Sequence, residues 1–392
     1  MSKVKRKVAI LGSTGSIGVQ ALEVIAQNPD EFEVVALAAG GASERSKSLF
    51  REQCDQFLGL NNHNNTALSA EDGFESVVKL ADTNSTGADV VLNGIAGVVG
   101  LEPSIRALES GGKLALANKE SIVVGGSVIT KLVGGGDEML TRIHPVDSEH
   151  SAIWQCIQGE VEDWHDAKRK VRKLILTASG GPFRGMTRSE LVGVTVEQAL
   201  KHPTWDMGPL VTINSATLMN KALELIEAHY LFNIEPANIE VTVHPQSIIH
   251  SMVEYIDGAT IAQKSPPSMK LPIALALSYP QRIDSIEPAL DWNQTYDLHF
   301  EPVDNDIFPA LNIARECLAA GPLFPVVMNA ANEIAVNNFI RGAIGFLDII
   351  DSVRAALDTF EPNTFSANPT APTLAEIKNL LEHFTNMSNR QV

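Results

Sequence analysis

Asp147 and Glu149 are the residues whose types and spacing most directly suggest chemistry in this sequence. An extended backbone puts residues two positions apart on the same side of the chain, so both carboxylates can face one ion. Paired hard oxygens of this kind suit Mg²⁺ or Mn²⁺. The same stretch can instead begin a helix, because Asp and Ser are favoured helix caps and a helical pattern covers 151–157. The residues alone leave both interpretations open.

Two further segments carry groups suited to phosphate. The string 178–183 (ASGGPF) ends a predicted buried strand and forms either an anion-binding nest or a plain turn. Ser215 stands at the start of a helix predicted over 216–231, where backbone N–H groups favour anions. In that helix Asn220 and Lys221 are phosphate donors and Glu224 is a third carboxylate for a metal, unless they form a solvated polar face.

A glycine-rich string indicates a dinucleotide cofactor. The string 12–18 (GSTGSIG) follows the first predicted strand and opens a helix, where glycines let the backbone approach a pyrophosphate. NAD enzymes usually carry an acidic residue at the end of the second strand, but 38–43 contains none. Arg45 and Lys47 follow instead, which favours NADP, although both can also be solvated helix residues.

Lys119 and the loop 202–209 (HPTWDMGP) complete the candidate chemistry. Lys119 directly follows the fifth predicted strand, and ligands of open parallel sheets bind at the carboxyl ends of strands. It is therefore either beside the nicotinamide or an ordinary residue at a helix start. The loop exposes Trp205 and Met207 and is either a mobile lid or a segment whose Trp packs in the core.

Short apolar strand patterns alternate with helical ones over residues 1–142. The strand patterns lie at 8–11, 34–38, 56–60, 90–93 and 113–117. This alternation predicts an α/β domain with a Rossmann-like parallel sheet and right-handed crossovers.

The remainder of the chain reads as two further domains joined by a linker. Residues 143–280 mix strand and helix patterns and contain a hairpin signal, Asp257-Gly258, between two strands. They predict a central mixed α/β domain that binds metal and substrate. Residues 281–306 show no periodic pattern of apolar residues and are expected to be a linker. Residues 307–392 are predicted to form an α-helical domain. There, Thr373 and Glu376 form a capping box.

Composition narrows the classes of function. The 392 residues are 44% hydrophobic and 20% charged, as in a globular protein of two or three domains. The net charge of −17 argues against nonspecific binding to nucleic acid or to an anionic membrane. Three scattered cysteines give neither a disulfide framework nor a CxxC metal site. Without an apolar run of about 18 residues or a signal peptide, a cytoplasmic protein is expected.

Eight strings, taken in order, resemble the 1-deoxy-D-xylulose 5-phosphate reductoisomerase family. They are GSTGSIG (12–18), ANKES (117–121), PVDSEHSA (145–152), ASGGPF (178–183), HPTWDMGP (202–209), NSATLMNKALELIEA (214–228), VHPQSIIHSMV (243–253) and VVMNAANEIAV (326–336). Any one string is weak, but eight in the family's order are specific. The resemblance implies an NADPH domain, a catalytic domain and a C-terminal helical bundle, usually in a homodimer.

The resemblance also implies roles for individual residues. The implied metal ligands are Asp147, Glu149 and Glu224, for Mg²⁺ or Mn²⁺ with Co²⁺ as a further option. The implied substrate contacts are Lys119, Ser148, Ser179, His202, Trp205, Ser215, Asn220 and Lys221. The implied cofactor contacts are Thr14, Gly15, Ser16, Ile17, Gly40 and Asn118. Lys119, Asp147 and Glu149 are the implied catalytic residues, and Trp205 with Met207 belongs to the implied lid.

The implied reaction rearranges the carbon skeleton of a ketose phosphate and then reduces the resulting aldehyde with NADPH. The segment 40–43 departs from the family, which often has Gly, a basic residue and Asn there, and Asp206 stands where the lid often has Ser. Two other functions remain to be weighed. A semialdehyde dehydrogenase would need an activated cysteine. A non-catalytic NADP-binding sensor would not need three carboxylates and a phosphate pocket.

Overall fold

The structure is a computed structural model that describes residues 4–41, 43–59, 67–68, 73–158, 168–205 and 207–390. The chain divides into two compact units. The first contains Met1–Ser121, Leu132–Trp154 and Ser268–Leu290, and the second contains Ile122–Lys131, Gln155–Pro267 and Asp291–Val392. The sequence-based division at residues 142, 280 and 306 stays a prediction.

The first unit is built on a parallel sheet. Its strands are β1 (Arg6–Leu11), β2 (Phe32–Ala38), β3 (Ala67–Leu68), β4 (Val90–Asn93), β5 (Lys113–Leu116) and β6 (Ile143–Pro145). They lie in the order β3-β2-β1-β4-β5-β6, which is the strand order of a dinucleotide-binding fold. The central strand β1 is fully buried from Val8 to Leu11, as the apolar run in the sequence predicts. The predicted Rossmann-like sheet is confirmed.

Helices connect these strands and continue into the second unit. They are α1 (Ser16–Gln27), α2 (Glu44–Phe57), α3 (Phe74–Leu80), α4 (Thr83–Thr86), α5 (Leu101–Glu109), α6 (Lys119–Val133), α7 (Met139–Arg142) and α8 (Ser148–Gln158). The strand expected at 56–60 is wrong, because α2 runs to Phe57 and packs Phe50, Phe57 and Leu58 on the core. Leu60 lies outside the described residues.

The second unit contains a mixed sheet and most of the remaining helices, although the segment Ser268–Leu290 belongs to the first unit. Its strands are β7 (Val171–Ala178), β8 (Ile239–Val243), β9 (Ile249–Tyr255), β10 (Thr260–Lys264) and β11 (Glu301–Pro302), in the order β10-β9-β7-β8-β11. The later helices are α9 (Arg188–Leu191), α10 (Val196–Ala199), α11 (Pro209–Ala216), α12 (Met219–Phe232), α13 (Lys270–Ser278), α14 (Ala310–Ala320), α15 (Leu323–Ile340), α16 (Asp348–Asp358) and α17 (Leu374–Arg390). The hairpin expected around Asp257-Gly258 joins β9 to β10 and is confirmed.

Two segments belong to a sheet or a core to which the sequence pattern does not assign them. Strand β6 (Ile143–Pro145) pairs with β5, so it belongs to the first sheet rather than to the central section. Helix α13 packs Ile273 and Leu277 into the core of the first unit, and Arg6 donates to the carbonyl oxygens of Leu277 and Tyr279 at 2.8 Å each. Contacts between strands or helices that are far apart in sequence produce no local periodic pattern of residues from which they could be predicted.

Two other local expectations need correction. The helix expected over 216–231 is broken, because Leu218 adopts a left-handed conformation (φ 59°) between α11 and α12. The segment 281–306 is more than a linker, since Glu301 and Pro302 form β11 against Thr242 and Val243. The capping box is confirmed: the amide of Thr373 donates to Glu376 at 2.7 Å, and the amide of Glu376 donates to the Thr373 hydroxyl at 3.2 Å. None of the described helices is long and apolar enough to span a membrane.

Candidate active site

The glycine-rich loop at residues 12–18 lies where the strand order of the first sheet reverses, between β1 and β4. Gly12 has φ +84°, and a Cβ there would lie 2.7 Å from the carbonyl oxygen of Gly94. A Cβ on Gly18 would collide with the backbone of Gly12 and Ser13. Helix α1 begins after Gly15, which has no side chain to accept from the first amides of the helix. The loop therefore fits a pyrophosphate, whose oxygens these amides can bind.

The end of β2 lies beside this loop. A Cβ on Gly41 would meet Ser46 of α2 and come within 3.8 Å of the Thr14 hydroxyl, whereas Gly40 borders open space. Ser43 caps α2 by accepting from the amide of Ser46 at 3.1 Å. Arg45 is exposed in the first turn of α2, and Lys47 lies 3.9 Å from Glu44. The basic residues thus stand at the amino end of α2, directly after the segment that lies beside the loop, as the NADP interpretation requires.

Asn118 is buried in a polar network rather than free to meet a ligand on every side. Its amide nitrogen lies within hydrogen-bond distance of the carbonyl oxygens of Ile95 (2.7 Å) and Gly97 (2.8 Å) and of the Glu120 carboxylate (2.9 Å). Its side-chain oxygen accepts from the amide of Ser121 at 3.0 Å. Asn118 therefore fixes the loop after β4, next to the glycine-rich loop. Burial raises the pKa of Glu120.

The network extends to residues that the sequence analysis did not single out. Asn93 donates to the carbonyl oxygen of Gly100 and to the Ser104 hydroxyl, each at 2.8 Å. The hydroxyls of Ser104 and Ser121 lie 3.0 Å apart. All of these side chains are buried. The sequence signal that could have identified this network is the polar residue Asn93 at the end of an otherwise apolar strand.

Lys119 and Asp147 form an ion pair, although they are far apart in sequence. Parallel pairing of β5 with β6 puts the ends of both strands at one edge of the sheet. The Lys119 ammonium nitrogen lies 2.6 Å from Asp147 Oδ2, and each side chain is only 11% exposed. His150 Nδ1 lies 3.6 Å from the other carboxylate oxygen of Asp147. The predicted position of Lys119 at the carboxyl end of β5 is what brings it to Asp147.

The charges around Asp147 keep its carboxylate ionised. Burial alone would raise the pKa of Asp147, but Lys119 and His150 together hold it well below its usual range. Glu149 lies in the first turn of α8, and its carboxylate accepts from the Ser148 hydroxyl at 2.5 Å. The expectation of an extended backbone is wrong here, because α8 begins directly after Asp147. Two oxygen donors one helical turn or less apart still suit a hard divalent ion.

In the second unit, His202 joins two predicted phosphate contacts. His202 Nε2 lies 3.0 Å from the Ser179 hydroxyl and 3.1 Å from the Ser215 hydroxyl. The amides of Thr204 and Trp205 donate to His202 Nδ1 at 3.1 and 2.9 Å, so the neutral ring carries its proton on Nε2. Burial lowers the pKa of His202, which favours this neutral form. Two hydroxyls and an N–H group thus converge where an anion can be bound.

Ser215 reaches this cluster by a different route from the one expected. It stands near the end of α11, not at a helix start, so the helix-dipole argument for it is wrong. Gly181 makes the approach feasible, because a Cβ there would lie 2.9 Å from the carbonyl oxygen of Ser215. The string 178–183 therefore packs closely on α11 through its glycines and brings Ser179 to His202.

The start of α12 carries a compact charged cluster. The Lys221 ammonium lies 2.5 Å from Glu224 Oε2, and the Asn220 amide donates to Glu224 Oε1. The side chains of Lys221 and Glu224 are 6% and 1% exposed. The alternative interpretation, that these residues form a solvated polar face, is therefore wrong for this pair. Both residues are held in fixed positions at the amino end of a helix.

The loop 202–209 is described except for Asp206, which lies outside the described residues. The Trp205 ring is half-buried, with its centroid 6.4 Å from that of His250. His250 Nε2 lies 3.3 Å from the carbonyl oxygens of Ser265 and Pro266. Burial, with the nearby Lys221 charge, lowers the pKa of His250. Trp205 thus lies against the buried histidine rather than in the main core.

Family models match most of the chain. The model described as 1-deoxy-D-xylulose 5-phosphate reductoisomerase matches residues 8–126. The model of the C-terminal domain of that enzyme matches residues 143–232, and one described as DXP reductoisomerase C-terminal domain matches 265–384.

Relatives and solved structures agree with these models. The 1-deoxy-D-xylulose 5-phosphate reductoisomerase of Leifsonia xyli is 52% identical over 91% of this chain and 92% of its own, and that of Bifidobacterium longum is 48% identical over 95% and 94%. A DOX-P reductoisomerase crystallised with NADPH, fosmidomycin and magnesium is 34% identical, with a TM-score of 0.86 over 98% of both chains. The Zymomonas mobilis enzyme with NADPH is 37% identical, with a TM-score of 0.82 over 98% of both chains. The chain belongs to the 1-deoxy-D-xylulose 5-phosphate reductoisomerase family.

Proposed function

We propose that this chain converts 1-deoxy-D-xylulose 5-phosphate into 2-C-methyl-D-erythritol 4-phosphate with NADPH and a divalent metal ion. The observation that carries the proposal is the Lys119–Asp147 pair at the carboxyl end of the parallel sheet, in a chain of this family. A buried ammonium beside an ionised carboxylate suits a reaction in which negative charge develops on substrate oxygens.

Asp147, Glu149 and Glu224 are the proposed metal ligands. The donor chemistry fits Mg²⁺ or Mn²⁺, because each residue offers carboxylate oxygens and Asp147 is held ionised. When bound, such an ion supplies a Lewis acid for the hydroxyl and carbonyl oxygens of the substrate. Co²⁺ is a further candidate. Ser148 orients Glu149 by its hydrogen bond, and Asn220 and Lys221 orient Glu224.

Lys119 and the proposed phosphate contacts have the remaining roles in the reaction. Lys119 adds positive charge where an alkoxide or enolate develops, and it can move a proton at the same oxygens. Ser179, His202 and Ser215 offer hydroxyl and N–H donors to the phosphate, together with Asn220 and Lys221. Holding the phosphate at a fixed point orients the reacting carbons. Trp205 is the proposed cover of the bound substrate.

NADPH is placed by its pyrophosphate at the loop of Thr14, Gly15, Ser16 and Ile17, with Gly40 and Asn118 as further contacts. When bound, NADPH would supply the hydride for reduction of the aldehyde. Arg45 and Lys47 are the proposed partners of the 2′-phosphate. Asn118 keeps the loop after β4 in place next to the glycine-rich loop.

The cysteines do not favour a semialdehyde dehydrogenase. Cys54, Cys156 and Cys317 are free and buried. Burial raises the pKa of Cys156 to about 11 and that of Cys317 to about 12, so neither is a ready thiolate nucleophile. Free cysteines are typical of a reducing compartment, and a cytoplasmic homodimer is the proposed form of the enzyme.

The direct test measures loss of NADPH absorbance with 1-deoxy-D-xylulose 5-phosphate and added Mg²⁺ or Mn²⁺. Turnover is expected with the metal, none is expected after chelation by EDTA, and the product is expected to be the branched polyol phosphate. NADPH oxidation that continues in EDTA would rule out the metal-dependent reaction. Sedimentation of the same sample tests the dimer.

A further inference from the structure

Gln53 contacts the glycine-rich loop from helix α2. Its side-chain amide donates to the carbonyl oxygen of Ser13 at 3.0 Å, across 40 positions of sequence. Gln53 is 5% exposed and Ser13 is fully buried. Gln53 is neither a catalytic residue nor a direct cofactor contact in the function proposed above.

Ser13 is the point where the loop turns away from the sheet. The amides of Gly12 and Ser13 both donate to the carbonyl oxygen of Ala38, at 2.8 and 2.9 Å. A Cβ on Gly18 would collide with the Ser13 backbone, so the start of α1 lies directly against it. Ser13 is thus fixed by β2 through its amide, by α1 against its backbone and by Gln53 through its carbonyl oxygen.

Stability alone does not account for a glutamine at this position. Among the described residues, neither the Gln53 side-chain oxygen nor the Ser13 hydroxyl has a hydrogen-bond partner, and both are buried. A buried polar atom without a partner is unfavourable, and an apolar side chain of similar size avoids that penalty. Within the part of the chain that the structure describes, the side-chain hydrogen bond of Gln53 goes to the loop, so the effect of Gln53 is to be sought there.

We propose that Gln53 is a positioning residue for the dinucleotide: its buried amide fixes the Ser13 carbonyl and keeps the backbone amides of residues 14–17 directed at the pyrophosphate. This inference rests on the proposed place of NADPH at the loop. The pyrophosphate is common to NADPH and NADH, so Gln53 acts equally on both. In contrast, Arg45 and Lys47 stand at the other end of α2 and act on the 2′-phosphate alone.

The test compares Gln53→Leu with Gln56→Leu, the same change at an exposed position of the same helix. For Gln53→Leu we expect the KM values of NADPH and of NADH each to rise about 10-fold, from the loss of one buried hydrogen bond. Turnover at saturating cofactor, the KM of the sugar phosphate and the NADPH-to-NADH preference should stay within about two-fold. The thermal midpoint should stay within about 3 °C. Gln56→Leu should match the wild type.

Gln53→Glu separates positioning from packing, because a carboxylate keeps the shape and cannot donate when ionised. It should raise both cofactor KM values at least as much as Gln53→Leu. Unchanged cofactor KM values in both Gln53 variants would overturn the inference. So would an effect on NADPH alone, or an equal loss for cofactor, substrate and thermal midpoint.

Gly15→Asp tests the underlying site independently. Gly15 has φ −77°, and Asp is a favoured helix cap there, but its carboxylate would repel a pyrophosphate. If Gly15→Asp leaves NADPH binding by fluorescence titration unchanged, the proposed cofactor site fails, and the Gln53 inference fails with it. If Gly15→Asp abolishes binding while the Gln53 variants bind as the wild type does, only the Gln53 inference fails.

Discussion

Each of the two units contains a buried lysine–carboxylate pair, and the two pairs are assembled in different ways. Lys119 and Asp147 are 28 positions apart and meet because β5 pairs with β6 in the first unit. Lys221 and Glu224 are three positions apart on α12 in the second unit and are neighbours on any helix. The first pair depends on the register of a sheet, and the second depends only on one helical turn.

This difference determines how much the position of each pair depends on the residues around it. The helical pair is fixed by local geometry, and both side chains are almost fully buried. The sheet pair is supported by surrounding groups: His150 lies near Asp147, and the Asn118 network holds the residue before Lys119. A pair built from distant elements is expected to respond to changes in those supports. A pair within one helix is expected to respond mainly to changes in its own members.

Neutralising one carboxylate in each pair has the largest expected effect. Asp147→Asn and Glu224→Gln keep the shape but remove a proposed metal ligand and the negative charge beside a buried lysine. Loss of one partner of a buried ion pair costs about 3–5 kcal/mol, and the same free energy lost from the transition state would lower turnover about 10²–10⁴-fold. Steady-state turnover at graded Mn²⁺ checks this, and NADPH binding should persist in both variants.

The two variants can also break the comparison. If Glu224→Gln keeps the turnover and the Mn²⁺ dependence of the wild type, Glu224 serves only as the partner of Lys221. The proposed metal site would then consist of Asp147 and Glu149.

Removing the lysines should separate catalysis from binding. Lys119→Ala should lower kcat more than it raises KM, because Lys119 stands at the proposed reacting oxygens. Lys221→Ala should weaken the binding of the sugar phosphate by about 2–5 kcal/mol, which is measured as a higher KM. The effect on NADPH binding should be smaller. Lys173→Ala is the control, since Lys173 forms an exposed ion pair with Glu240 at 3.0 Å. Equal weakening of cofactor and substrate by Lys221→Ala would indicate a folding defect.

The same contrast explains what the sequence could and could not predict. Local signals were sufficient for the parallel sheet, the hairpin and the Thr373 capping box, because each is decided by residues near in sequence. The short strand β6, the packing of α13 and the break at Leu218 were missed. They depend on pairing partners or on a single backbone conformation that no local period records.

At the site, residue types were easier to predict than contacts. Lys119 was placed correctly at the end of β5, but its pairing with Asp147 needed the strand order. Ser215 was placed at the start of a helix and stands near the end of one. Asn93, Ser104 and Gln53 were missed because a single buried amide or hydroxyl resembles any other polar residue in a sequence.

A buried histidine in β6, His144, should make the first unit sensitive to acid. Burial lowers the pKa of His144 to about 4, and its Nδ1 lies 2.8 Å from the carbonyl oxygen of Ala276. The unfolded chain binds a proton near pH 6.5, and the folded chain does so only near pH 4. The free energy of unfolding therefore falls as the pH drops through this window, by about 1.4 kcal/mol per unit from His144.

His144→Asn keeps a donor for Ala276 and removes the titration. Urea unfolding at pH 4.5, 5.5 and 6.5 should show a smaller loss of stability for this variant than for the wild type. His383→Asn, the same change at an exposed position, is the matched control variant. His202 and His250 also have lowered pKa values, so part of the slope should remain. An unchanged slope in His144→Asn would show that His144 is not the group that titrates.

The smallest expected effects come from the neutral side chains that orient each carboxylate. Ser148 donates to Glu149 from the adjacent position, and Asn220 donates to Glu224 from one turn away on the same helix. Groups that orient a metal ligand typically change metal affinity by about 10-fold when removed, so Ser148→Ala and Asn220→Ala should each raise the Mn²⁺ concentration for half-maximal turnover by about that factor. Only Asn220→Ala should also raise the KM of the sugar phosphate strongly, because Asn220 is a proposed phosphate donor whereas Ser148 is a proposed contact of the substrate's carbon backbone. Ser352→Ala, at an exposed hydroxyl of α16, is the control. If Asn220→Ala changes the Mn²⁺ requirement and leaves the sugar phosphate KM as it was, Asn220 belongs with Glu224 alone, and the phosphate is held by Lys221 and the His202 cluster.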